Sequence, residues 1–511
     1  MRACVVRRQF YSSELNTTVM IHAEPGFGTP KAAICYFVTT NTTIDSVDTT
    51  TVQQGFGIGF MAGSGTTAGA VANSTQQDGA GTSVTRTSST SGIGPVSITG
   101  AGAGNSNIWR TTGCRFVNGG MLITFVNAST GGTPPPNQRL DVITTFFTGA
   151  DLQVERFETA AARTAGVGIT FNVGFQPDVV IGIGSRATSG AGGGFSYGFA
   201  TRTPGATTTT VASQGSCSHH FSTGVGAMYQ RMRHSRYFAE QCPVDTNPGA
   251  AQIAWECVSF NSTGFQLVVR NANHPVGAVV GGIAMKFQGK YFGSSFTTLT
   301  TTGNKRSNTR MTPQIIIGSL TGATAANALS AASSPNSDSF SIFVGTGGTT
   351  TKNRYGIGTM TVSSGATAVT GTGTSFFSQL AQGNRIYNTS GTLIGSVGAV
   401  NSNTLMTLSA GATNAMSSAN FFIQAGSQHS IIYGNEFNNG SSRAYTGATR
   451  GLEIYQSTGG TPSTWIEANF NPFNRRPFFD LNYVTAVAAA RWGWFLALPD
   501  ENRRPDPTRI Q

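Results

Sequence analysis

One pattern occurs three times along this chain and limits what the chain can fold into. Its clearest copy is Gly174-Phe175-Gln176-Pro177-Asp178, followed by the run Val179-Val180-Ile181-Gly182-Ile183-Gly184. A proline-bearing turn releases a short apolar run rich in β-branched residues, and glycine closes it, which is the signature of a buried strand. An alternating aromatic stretch, Gly194-Phe195-Ser196-Tyr197-Gly198-Phe199, comes next and reads as a neighbouring strand. A weaker copy runs from Pro30 through Val38 to Gly55-Phe56-Gly57-Ile58-Gly59-Phe60. A third runs from Pro313 through Ile315-Ile316-Ile317 to Phe340-Ser341-Ile342-Phe343-Val344.

The order of elements around each copy also repeats. In the first two repeats an opening strand (Thr17 to His22; Val167 to Phe171) precedes the proline turn. A long polar segment follows the aromatic strand (62–107; 201–249) and reads as an excursion, the first a flexible loop or a hairpin arm around Val96-Ser97-Ile98. Then comes a hairpin, with Asn118-Gly119 as a strong turn signal because both positions favour φ > 0. The third repeat places its hairpin around 434–455 and closes on Trp492 to Leu498. The fold expected is all-β: three tandem β-sandwich-like repeats at 16–150, 151–294, and 295–354 with 425–498. A small β-domain is inserted at 355–424. Residues 1–15 and 499–511 are expected to be terminal arms.

Composition agrees with this class. Charged residues make up 10% of the 511 residues, against roughly 25% in ordinary soluble proteins. Gly (66) and Phe (33) are abundant, as short strands joined by small-residue turns require. The net charge is +11, but the basic residues are dispersed, with arginine pairs only at Arg7-Arg8, Arg475-Arg476 and Arg503-Arg504, so nucleic acid is not the expected partner. Six cysteines in so long a chain do not make a disulfide framework, and Cys35, Cys114 and Cys257 read as small buried apolar residues. No apolar signal core follows Met1, and no run approaches the roughly 20 apolar residues of a membrane span.

The inserted segment carries Ala368-Val369-Thr370-Gly371-Thr372-Gly373-Thr374-Ser375-Phe376, then Leu380, and later Thr404-Leu405-Met406-Thr407-Leu408. This arrangement resembles a small β-module of tailed-bacteriophage structural proteins. The proline-turn strand with its glycine-flanked aromatic partner is similar to segments of phage virion and tail-fibre proteins. The resemblance implies a non-enzymatic virion protein assembled in the host cytoplasm, either a capsid decoration or a tail or tail-fibre appendage. Its implied partners are other virion proteins and copies of itself, a trimer among them. The alternative it implies is a host-attachment adhesin that contacts a surface glycan or receptor through the inserted domain and long loops.

Residues that could carry chemistry are few. Cys217, His219, His220, His234 and Cys242 are zinc-ligand types, but their spacing fits no standard finger or ribbon, and a polar titratable loop is the expectation. The acidic residues are scattered (Asp45, Asp48, Asp78, Asp178, Asp338), and Asp151, Glu155 and Glu158 read as charges of a linker. The one G-x-S-x-G match, Gly194-Phe195-Ser196-Tyr197-Gly198, lies in the alternating aromatic stretch with no helix expected after it and is not read as a nucleophile elbow, and no dinucleotide fingerprint is present. No catalytic residue, metal or cofactor is therefore expected. Trp465, Phe470, Phe473, Phe478 and Phe479 flank Arg475-Arg476 and form the candidate sugar- or protein-contact surface, with core or interface packing as the competing reading.

Overall fold

A computed structural model describes residues 1–11, 14–23, 27–40, 55–63, 69–77, 83–88, 98–99, 106–107, 110–126, 139–160, 164–186, 194–204, 209–221, 228–234, 238–241, 253–272, 278–324, 329–332, 336–346, 354–380, 384–424, 428–435, 442–447, 451–458, 461–470 and 477–499. The fold is all-β, and one topology is used three times. Each repeat pairs a large antiparallel sheet with a smaller one.

In the first repeat the large sheet runs Arg2–Tyr11, Arg139–Thr148, Ala32–Thr40, Gly55–Ala62, Gly69–Gln77, Ser83–Ser88. The second has the same order in Gln153–Ala160, Ala278–Lys286, Val179–Arg186, Gly194–Arg202, Val211–Phe221 and Met228–His234. The third has Phe292–Thr297, Trp492–Leu498, Ile315–Leu320, Asn336–Thr346, Gln428–Asn435 and Ser442–Gly447. The small sheets also correspond. They are Thr18–His22, Gly120–Val126, Arg110–Val117; then Gly168–Asn172, Gly264–Ala272, Ile253–Asn261, Ala239–Gln241; then Gly303–Asn308, Phe478–Thr485, Thr461–Phe470, Leu452–Thr458.

The proline turns and aromatic alternations are adjacent strands, as their pattern requires. Ile34 pairs with Phe60, Ile181 with Phe199 and Ile317 with Val344. The Asn118-Gly119 turn closes a hairpin with Val117 opposite Gly120, and Gly119 sits at φ 83°.

Several expectations are corrected. Residues 1–15, expected as an arm lying on a neighbour or on the first repeat, supply a full strand of the first repeat, because Arg2–Tyr11 pairs along its whole length with Arg139–Thr148. Its alternation serves two cores, Ala3 and Val5 on one face and Cys4 and Phe10 on the other. The Arg7-Arg8 pair hid that alternation; Arg7 is buried against Asp141, and Arg8 against Glu14 and the Met20 carbonyl. The boundary at 294/295 falls inside the strand Phe292–Thr297. The polar excursions at 62–107 and 201–249 contain strands that widen the large sheets. In the third repeat the strands in 434–447 do the same, and the small-sheet hairpin lies at Thr461–Phe470 and Phe478–Thr485. The expected arm at 499–511 lies outside the described residues from 500 onward.

Each sandwich has its own core, led by Phe10, Phe37 and Phe125 in the first, Trp255 and Phe265 in the second, and Phe343 and Phe479 in the third. A fourth core lies between the repeats, where the far faces of the three large sheets meet. Three equivalent phenylalanines converge there. The Phe56 and Phe195 rings are 5.0 Å apart, Phe195 and Phe340 4.8 Å, and Phe56 and Phe340 6.1 Å. The next equivalent positions along the same strands, Ile58, Tyr197 and Ile342, then Phe60, Phe199 and Val344, are buried in the same cluster.

Polar contacts join the second repeat to each of the other two across this core. The Tyr36 and Tyr197 hydroxyls are 2.8 Å apart, and Trp494 Nε1 donates to the Tyr197 carbonyl at 2.9 Å.

The residue after each turn proline grips the beginning of the next repeat. Lys31 Nζ donates to the carbonyls of Ala150 (3.4 Å) and Leu152 (3.0 Å), where the second repeat starts. The Asp178 carboxylate accepts from Phe287 N (3.0 Å) and the Tyr291 hydroxyl (3.4 Å), where the third starts. Gln314 closes the circle on the first: its Oε1 accepts from Ala3 N at 3.2 Å and its Nε2 donates to the Ala3 carbonyl at 3.3 Å. The three repeats therefore form a ring with cyclic order.

The segment inserted in the third repeat is a small barrel with its own core, led by Met360, Phe376, Ile386, Met406 and Phe421. Its sheet passes from Phe421–Gln424 through Arg385–Asn388, Leu393–Val400, Leu405–Leu408, Ala368–Thr372 and Thr359–Val362 to Met416–Ala419. Only Asn420 separates the last strand from the first, and Ser418 at φ 45° makes the bend, so the sheet closes on itself. The barrel's two ends pair as neighbours, Arg354 with Ile423 and Tyr355 with Phe422. Replacing 356–421 by a short Gly/Ser bridge is therefore expected to leave the ring folded, with a thermal midpoint within a few degrees of the parent by calorimetry.

Candidate functional site

Of the residues singled out from sequence, Phe470 is placed in a core. Phe470 is buried at 9% exposure, with its ring 5.6 Å from Phe479 and 6.0 Å from Phe343, so it belongs to the core of the third sandwich. Trp465 lies on the strand Thr461–Phe470, at the point where the register with Leu452–Thr458 slips between Ile454 and Tyr455. Phe473, Arg475 and Arg476 lie outside the described residues.

The same small sheet carries an outward row of which only Phe478 was singled out from sequence. Strand Phe478–Thr485 alternates, with Phe479, Leu481 and Tyr483 inward and Phe478, Asp480 and Asn482 outward. The edge strand Gly303–Asn308 sets Asn304 opposite Asn482, Arg306 opposite Asp480 and Asn308 opposite Phe478. Asp480 holds the Arg306 guanidinium through Nε at 2.9 Å and Nη2 at 3.3 Å, a two-point geometry that fixes its plane. That plane lies 3.8 Å from the Phe478 ring centre. The hydrogen bonds to Asp480 push the Arg306 pKa up. The signal in sequence was the alternation Phe-Phe-Asp-Leu-Asn-Tyr, which shows one buried and one polar face.

The cysteine and histidine group is not a loop. Cys217 and His219 lie on the strand Val211–Phe221 and are fully buried between repeats. Cys217 Sγ donates to the Ser319 carbonyl at 3.6 Å, and the His219 ring sits 6.1 Å from Phe195 and 6.2 Å from Phe340. His220 is also on this strand and His234 on the neighbouring Met228–His234, while Cys242 lies outside the described residues. No group of three metal-ligand types occurs among the described residues.

Burial pushes the Cys35, Cys217 and Cys257 thiols well above their ordinary range. Only the thiolate attacks a disulfide reagent. These three are therefore expected to react with Ellman's reagent only after denaturant is added, read as a step in absorbance at unfolding.

The carboxylates are not as solitary as the sequence suggests. Asp178 is buried and paired with Arg202, which also donates to the Pro177 carbonyl at 3.3 Å. Glu453 and Glu467 are direct cross-strand partners, buried at 1% and 8% exposure, and the Ser430 hydroxyl donates to Glu453 at 3.1 Å. Arg156 pairs with Glu158 at 2.9 Å on the opening strand of the second repeat. No helix among the described residues is long and apolar enough to cross a membrane, which leaves membrane-spanning strands unaddressed.

No family model matches this chain, and no curated protein matches it. Among solved structures, one similarity is to the CymD monoaromatic hydrocarbon channel, 9% identical over 93% of this chain and 90% of that one, with a TM-score of 0.08. A score that low carries no argument about fold or function.

Proposed function

We propose that this chain is a non-enzymatic structural protein on the exterior of a bacteriophage particle, a head decoration or a tail appendage subunit. The observation that supports this reading most is the cyclic ring of three sandwiches. One chain presents three equivalent strand sets about a common core, which suits a position on or beside a threefold axis of a larger assembly. The charged fraction of 10% agrees with a body that covers much of its surface with neighbours. The barrel is inserted in the chain after strand Asn336–Thr346, and its short helix Phe376–Gln379 lies near Thr18–His22 of the first repeat.

The test is to band particles from a culture carrying the gene on a density gradient and identify their proteins by peptide mass spectrometry. The chain is expected in the particle band at a fixed ratio to the major particle proteins. Recovery only from the supernatant would overturn the reading. Light scattering on the purified chain then separates the two forms: a trimer favours a self-assembling appendage, and a monomer favours decoration of a pre-existing lattice.

A further inference from the structure

We infer that the outward face of Gly303–Asn308 and Phe478–Thr485, in the third repeat, is a binding surface for a hydroxyl-rich glycan. This goes beyond the particle assignment and does not depend on it. The face consists of Asn304, Arg306 and Asn308 on the edge strand with Phe478, Asp480 and Asn482 on its neighbour. Asn and Asp are depleted in strands because they pack poorly on a pleated surface. Four of these six positions hold them, so the row is not composed for sheet stability.

The threefold repetition supplies an internal control. The corresponding outward pairs are Thr18 with Thr124 and Met20 with Leu122 in the first repeat, and Gly168 with Val268 and Thr170 with Gln266 in the second. The same topology therefore forms without a carboxylate or a guanidinium at those places, the second repeat keeping the amides of Gln266 and, in its third pair with Gly264, Asn172. Positive charge on an edge strand discourages unwanted pairing and accounts for Lys305 and Arg306. It does not account for Asp480 and Asn482, which lie on the adjoining inner strand.

The chemistry of the row selects its ligand. Each asparagine amide both donates and accepts, matching a hydroxyl that does the same. Arg306 is 60% exposed, yet its plane is fixed by Asp480 at its edge and Phe478 against one face. A rigid flat surface of this kind packs against the C–H face of a sugar ring with little loss of side-chain freedom. Asp480 offsets the charge of Arg306, so the row has no net charge to attract a polyanion.

The test uses the fluorescently labelled full chain on an array of neutral and acidic oligosaccharides. The strongest retained glycan is then titrated in solution by calorimetry. Wild-type protein is expected to retain a defined subset of glycans. Two independent variants, Arg306→Ala and the double variant Asn304→Ala/Asn482→Ala, are expected to bind at least tenfold more weakly at the parent's melting temperature. Thr170→Ala, at a corresponding place in the second repeat, is expected to bind as the parent does. Retention of no glycan would overturn the inference, as would equal binding by folded variants. Binding abolished by raising the salt concentration would also overturn it, because general attraction to a +11 chain would then account for the signal.

Discussion

Phe195→Ala is expected to destabilise the whole chain by about 3–5 kcal/mol, the usual cost of emptying a buried aromatic site. The ring stands between Phe56 and Phe340, each from another repeat, so its loss opens a cavity that no single sandwich can close by itself. The consequence is shared: all three large sheets lose packing at once. Fluorescence-detected denaturation reports this directly, because Trp255 sits in the second sandwich's own core and Trp494 in the core between repeats. Both signals are expected to shift together to lower denaturant. A split transition, with Trp255 melting apart from Trp494, would show that the repeats are independent units and that the common core contributes little.

Asp178→Ala is expected to cost a similar amount, about 3–5 kcal/mol, for an electrostatic reason. Arg202 and Asp178 are both almost fully buried, and removing the carboxylate leaves a guanidinium charge without its counter-ion. The same change removes the acceptor for Phe287 N and the Tyr291 hydroxyl at the start of the third repeat. The double replacement Asp178→Leu/Arg202→Met leaves no buried charge and is expected to recover most of the loss. Urea midpoints of the three proteins decide the matter. If the double variant is as unstable as Asp178→Ala, the loss lies in the backbone contacts and not in the orphaned charge.

The parts of the fold that were legible in the sequence are those where one face of a strand is apolar and the turns are marked. Val179 to Gly184 and Ile315 to Gly318 announce themselves because both faces are buried, one in a sandwich and one between repeats. Val211–Phe221 did not, although Gln214 to His219 are buried. Its sequence, Val-Ala-Ser-Gln-Gly-Ser-Cys-Ser-His-His-Phe, has no apolar alternation. Its small residues fit against neighbouring backbones, and its polar groups find partners that local sequence cannot name, such as Gln214 with the Cys257 backbone at 2.9 Å and 3.1 Å. The opening strand of the first repeat was hidden for a related reason. Arg7 is 7% exposed, and nothing near it in sequence reveals Asp141 as its partner.

The candidate site was less legible than the fold. Phe470 shares the aromatic richness of its surroundings, but its place on an inward position decides its role. The outward row beside it depends on a pairing between residues 303–308 and 478–485, a separation no local pattern bridges. The common core was hardest to foresee, since its Phe triad exists only once three distant strands are brought together.

The grip of Gln314 on Ala3 has a consequence for where a chain of this design has to begin. Two of the three junctions around the ring are peptide-linked, and the third is held by the Gln314–Ala3 hydrogen bonds and the packing of the common core. Leu498 ends at that same junction, its carbonyl accepting from Gln314 N at 2.8 Å. The order in which the three repeats follow one another along the chain is thus one of three nearly equivalent choices. A circular permutant that opens at Gln153 and joins Pro499 to Met1 through a short linker is expected to reach the same ring, with the open seam moved from the third junction to the first.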